Sequence, residues 1–168
     1  MSATPDDIVA SYRASGYNVH GPLRSIRRGV AGHYYVLTRQ PTDRQLAQIT
    51  HASGDREVSL AQVNDFYLLH VGGGLSMNMA FPDQRDSGID RVVWIAHTHP
   101  LERESRYDHV ARGATNADHA ALEHLARNAG NVSMESRVLV VRGGQVVDTN
   151  RFYYDPPLTL DSLRIDPK

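Results

Sequence analysis

The chain has no cysteine. That excludes a disulfide framework and any thiolate metal site, so a bound metal would have to be held by histidine, aspartate or glutamate. It has no long apolar run, and nothing approaches the roughly 20 residues of a membrane-spanning helix. Its first residues lack the basic-then-apolar pattern of a signal peptide. Charge of one sign is also lacking: the formal net charge is −1 at pH 7, which gives no mark of a nucleic-acid or membrane binder. No internal repeat and no low-complexity block is present. Glutamate is nearly absent from the first half, where Glu57 is the only one before His97. What remains, 168 residues, is expected to form one domain with a real core over residues 1–155. A loosely attached tail, 156–168, carries Pro156, Pro157 and Pro167. The expected location is the cytoplasm, or outside it by an export route that needs no signal peptide.

The most informative stretch is Val92-Val93-Trp94-Ile95-Ala96-His97-Thr98-His99-Pro100. Five apolar residues preceded by Asp90-Arg91 read as a buried central strand. Side chains alternate along a strand, so His97 and His99 share a face, one pleat apart, and both can reach one metal ion. Pro100 stops the strand, which places both at its end, where sheets open into sites. The plainer alternative is a pair of hydrogen-bonded polar residues at a strand end.

Taken in order, Thr4-Pro5-Asp6-Asp7 has the signs of a helix start, with Ile8, Val9 and Tyr12 as the inner face and Ser15-Gly16 as the end. Residues 22–32 are expected to be irregular. His33 to Thr38 reads as a strand from its β-branched and aromatic content. Gln45 to Thr50 reads as a second strand after the Pro41-Thr42-Asp43 turn. Glu57 to Leu60 alternates like a strand, Phe66 to Val71 is a stronger one, and Leu75 to Phe81 pairs naturally with it beyond Gly72-Gly73-Gly74. The polar segment Leu101 to Gly113 is a solvent-exposed loop at the mouth of a site. Thr115 fits a helix N-cap with Asp118 at the capping-box position, and Ala121, Leu122 and Leu125 form the buried stripe. Arg137 to Arg142, Gly143-Gly144 and Gln145 to Asp148 form a hairpin, which Phe152 to Tyr154 extend.

The combination of His-Thr-His-Pro at a strand end, a loop, Thr-x-x-Asp opening a helix and then a strand hairpin resembles the JAB/MPN family of zinc metallopeptidases, whose signature is the JAMM motif. The resemblance covers roughly residues 92–148. It implies an α/β (α+β) fold, a curved mixed β-sheet packed with helices, of cytidine-deaminase-like type. Carried over, it makes His97, His99 and Asp118 zinc ligands with water in the fourth position, the pattern of a catalytic site. Thr115 takes the place of the family's serine, whose hydroxyl helps stabilise the oxyanion. Glu57 takes the place of the upstream glutamate that accepts the proton of the attacking water.

Two departures from the family pattern leave alternatives open. Thr115-x-x-Asp118 follows the second histidine at a longer interval than the family's element, while Ser105-x-x-Asp108 follows at a slightly shorter one. Asp118 is preferred because an amphipathic helix follows it, whereas Gly113 would break a helix begun at Asp108. Around Glu57 the family's Glu-x-x-Gly pattern is missing, so a surface glutamate at a strand start is the competing reading. His109, His119 and His124 are expected to be exposed or capping residues. The implied function is hydrolysis of an amide bond in a protein or peptide, such as a ubiquitin-like conjugate or a cell-wall peptide, by a zinc-activated water. The alternative is a catalytically inactive domain of the same fold acting as a protein-binding module. A third class, an unrelated metal-dependent hydrolase, needs further His/Asp clusters that are not found in matching order.

Overall fold

The computed structural model describes residues 19–23, 32–72, 91–101 and 113–158. Their secondary structure is β1 (Val19–Leu23), β2 (Gly32–Leu37), α1 (Asp43–Ala52), β3 (Val58–Val63), β4 (Phe66–Gly72), β5 (Val92–Pro100), α2 (Asn116–Asn128), β6 (Met134–Arg142) and β7 (Gln145–Tyr154). The strands form one seven-stranded sheet in the order β1-β2-β4-β3-β5-β6-β7. Only β5 and β6 run parallel; the remaining pairs are antiparallel. A parallel pair needs a crossover, and α2 supplies it. The fold is therefore mixed α+β. No helix among the described residues is long and apolar enough to cross a membrane.

Each helix covers one face of the sheet. Leu46, Ala47 and Ile49 of α1 pack with Tyr35, Leu60, Leu69, Ala96 and Leu139. Leu122 and Leu125 of α2 pack on the other face with Trp94, Val138, Val140 and Phe152. The start of α1 is also tied to β6 by a forked pair, Arg137 to Asp43, at 2.6 and 2.9 Å.

Residues 43–52 are a helix where a strand over Gln45 to Thr50 is expected from sequence. The reason lies in Thr42, which is an N-cap. Its hydroxyl accepts from Gln45 N at 3.1 Å, and the Gln45 side chain accepts from Thr42 N at 2.8 Å. That reciprocal pair satisfies two donors that a helix start leaves open. The buried positions Leu46, Ala47, Ile49 and Thr50 then fall on one helical face. A second correction concerns Pro22, which lies in β1 rather than in an irregular segment. β1 ends the strand order, where a residue without an N–H costs no ladder bond.

The β3–β4 and β6–β7 turns have different origins. Gly143 and Gly144 turn β6 into β7 with φ of 57° and 77°, the doubly left-handed turn that matches strand twist. Between β3 and β4 the turn starts at Asn64, with φ of 53°. The expected helix after Thr4, the strand from Leu75 to Phe81, the loop over 102–112 with Asp108 and His109, and the tail beyond 158 lie outside the described residues.

The two readings of α1 make opposite statements about Gln48. Alternation in a strand would put it beside Leu46, whereas the helix leaves it exposed. Leu46→Ala should lower unfolding free energy by about 2–5 kcal/mol, and Gln48→Ala should stay within about 0.5 kcal/mol, both measured by urea denaturation. Equal losses at the two positions would contradict the helix.

Candidate metal centre

β5 carries the first two residues of the site, and a bulge sets what surrounds them. Ser59 and Leu60 of β3 face His97 and Ala96, but Ala61 faces Trp94. Ile95 is thus an extra residue on β5, and it reverses the alternation at that point. Upstream of it Val92 and Trp94 lie on the α2 face; downstream His97 and His99 do so as well, while Thr98 turns to the α1 face. The indole of Trp94 consequently stacks on His97, with ring centroids 4.6 Å apart. Its N–H donates to Ser59 Oγ at 2.9 Å. Phe152 of β7 closes the other side, edge-on to His97 at 5.9 Å. Sequence alternation alone hides this support, because it assigns Trp94 to the opposite face.

α2 brings the third residue. Asp118 stands at the third position of the helix, with Thr115 as N-cap. The Thr115 hydroxyl accepts from Asp118 N at 3.2 Å, and Asp118 Oδ2 accepts from Thr115 N at 2.9 Å. The aspartate therefore caps the helix and also faces the histidines. Its Oδ1 is 3.1 Å from His97 Nε2 and its Oδ2 is 3.3 Å from His99 Nε2. The two Nε2 atoms are 3.0 Å apart.

These three residues form a buried group that could hold a metal ion. His97 is 0 % exposed, His99 2 % and Asp118 8 %. Ligand atoms about 2.0–2.1 Å from a tetrahedral zinc lie about 3.3 Å from one another. One ligand atom from each of the three residues lies within 4.8 Å of the others, and the two imidazole Nε2 atoms, 3.0 Å apart, are close to that edge. The donor set, two imidazole nitrogens and one carboxylate, suits zinc among several divalent metals.

Electrostatics favour the protonation states that ligation requires. Burial pushes the His97 pKa down, against the raising effect of Asp118. Burial thereby favours the neutral imidazole over the imidazolium. For Asp118 burial works upward, but hydrogen bonds from His97 and His99, and a further one from Thr115 N, hold the carboxyl well below the usual carboxylate range.

Glu57 stands beside this group. It immediately precedes β3 and reaches the same group. Its Oε1 is 3.7 Å from His99 Nε2, with the side chain 12 % exposed. The structure thus brings together His97, His99, Asp118 and Glu57, with Thr115 one turn away at the helix start. His119 and His124 lie on α2 outside the group and are exposed. His119 meets the edge of Phe152 at 5.5 Å, and His124 bonds to Asn128 at 3.1 Å.

Purified protein should carry one metal equivalent by elemental analysis. The double variant His97→Ala/His99→Ala and the single variant Asp118→Ala should lose it, and Asp108→Ala should keep it. Loss in Asp108→Ala alone would transfer the third ligand to that residue. The metal-free protein should also weaken on acidification. A lowered His97 pKa means that the unfolded chain takes up a proton the folded one refuses, so stability declines as pH falls below the unfolded value of 6.5. Asp118 adds a later loss, as pH drops through its depressed folded pKa from the ordinary 3.8. Urea midpoints measured between about pH 7.5 and about pH 5 should show the first stage, and His97→Gln should flatten it.

Comparison with family models, with curated proteins and with solved structures finds no match to this chain.

Proposed function

We infer that this chain is a zinc-dependent peptidase or isopeptidase of the JAB/MPN type. The observation that carries it is the position of Glu57. The only glutamate upstream of His97 lies 3.7 Å from His99, at the rim of a buried His-His-Asp group. A carboxylate that merely solvated a strand start would have no reason to face that group.

Each residue has a definite task in amide hydrolysis. His97, His99 and Asp118 would hold the zinc, which when bound would lower the pKa of a water and polarise the scissile carbonyl. Glu57 accepts the proton of that water as the C–O bond forms, then returns it to the departing nitrogen as the C–N bond breaks. Thr115 already accepts a hydrogen bond from Asp118 N, so its own hydroxyl proton is available to the carbonyl oxygen as negative charge develops there. The substrate is a peptide or a protein joined through an amide, with ubiquitin-like conjugates and cell-wall peptides as the two classes to try.

Glu57→Gln keeps the shape of the side chain and removes the proton acceptor. It should retain one zinc and the wild-type melting temperature while hydrolysis slows by about two orders of magnitude. The assay is release of fluorophore from a panel of linear and lysine-branched peptides. Zinc-loaded wild type that cleaves none of the panel, and no faster than Glu57→Gln, would favour the binding-module alternative.

A further inference from the structure

We propose that Thr98, the residue between the two histidines, is a positioning residue whose hydroxyl sets where the Glu57 carboxylate stands. The proposal rests on Glu57 being the base of the reaction described above. It concerns the opposite face of β5 from the metal group.

Thr98 is 0 % exposed, as is Thr50 of α1. Three hydrogen bonds run through the pair. Thr50 Oγ1 donates to Leu46 O at 2.9 Å, inside its own helix. The two threonine hydroxyls are 2.7 Å apart. Val58 N donates to Thr98 Oγ1 at 2.9 Å. Each hydroxyl has one proton, so the direction is fixed. Thr50 uses its proton on Leu46, Thr98 therefore donates to Thr50, and Thr98 Oγ1 accepts from Val58.

The last of these bonds is the informative one. The β3–β5 register extends no further than Ser59 opposite His97. Carried on by two residues, it would set Val58 opposite Thr98 and Glu57 opposite His99. At Val58 the Thr98 side chain replaces the acceptor that a continued ladder would supply. On the other flank Gly72 N donates to Glu57 O at 2.9 Å, holding the same end of β3 to β4. The backbone on either side of the Glu57 side chain is thus pinned at two points, one of them the Thr98 hydroxyl. Removing that hydroxyl leaves Val58 N–H buried without its acceptor, which the strand end can relieve only by shifting. His97 and His99 belong to β5 and need not move with it. The expected result is a metal site with its ligands intact and its base displaced.

An ordinary helix-docking role for Thr98 would change stability alone, so the test needs a reading that depends on Glu57. Acetohydroxamate serves: it chelates the metal, and its proton is taken by a neighbouring carboxylate. Its affinity is measured by visible absorption on cobalt(II)-loaded full-length protein. Thr98→Val, close in shape, should bind one metal but hold acetohydroxamate about fivefold more weakly, the scale of one hydrogen bond. Thr98→Ser should stay within roughly a factor of two of wild type. Adding Thr98→Val to Glu57→Gln should bring no further loss. Should Thr98→Val fail to fold, Thr98→Cys keeps the volume with a poor acceptor and should show an intermediate loss. Wild-type affinity in Thr98→Val, or in Thr98→Cys where that one must be used, overturns the proposal while Glu57→Gln still weakens binding. An unchanged affinity in Glu57→Gln overturns both the base and its positioning.

Discussion

Burying two imidazoles and a carboxylate at one strand end imposes the constraint from which the rest of this structure follows. A charged group taken out of water is expensive unless it is paired and hydrogen-bonded. Asp118 meets that condition through His97, His99 and Thr115 N at once. The histidines meet it by facing the carboxylate at 3.1 and 3.3 Å. No member of the group can be buried alone, so the end of β5 and the start of α2 must come together. The crossover from β5 through α2 to parallel β6 brings them there. Helix capping and metal ligation are therefore not competing explanations of Asp118. The cap fixes the carboxylate in the direction in which it faces the histidines.

Support for the group is asymmetric across the sheet. On the α2 face it is aromatic: Trp94 stacks on His97, and Phe152 stands edge-on to both rings. These rings limit how far the imidazole can turn without adding charge beside it. On the α1 face it is a chain of hydroxyls through Thr98 and Thr50. The bulge at Ile95 permits both. Without the extra residue, Trp94 would fall on the face of Ala96 and Thr98, leaving His97 without its stacking partner.

Much of this was legible in the sequence, and the exceptions have physical reasons. The central strand, the His-x-His pair and the helix after Thr115 each carry a local signal: an unbroken apolar run, a two-residue period and a cap followed by an apolar stripe. The β6–β7 hairpin carries one in Gly143-Gly144. Helix α1 is not legible in this way because Ile49 and Thr50 are β-branched and suggest a strand, whereas the Thr42–Gln45 cap and the packing of Leu46 and Ile49 outweigh that preference. The support from Trp94 and Ser59 was not legible at all. A bulge depends on the register of two strands 35 residues apart at that contact, and no local pattern reports it. For Glu57 the sequence offers only scarcity, and its approach to His99 is a consequence of where β3 begins.

The position between the two histidines is more constrained than its place in the motif suggests. Alternation forces it away from the His97–His99–Asp118 group, into a layer where α1 packs against the sheet. A charged residue there would be buried without a partner, and an apolar one would leave Val58 N–H without an acceptor. A bulky residue would push α1 off the face on which Leu46 and Ile49 lie. Threonine meets all three conditions: its branching suits a strand, its volume fits beside Thr50, and its hydroxyl both donates and accepts. The residue that faces away from the two histidines is in this way the one through which the helix on the far side bears on the Glu57 carboxylate.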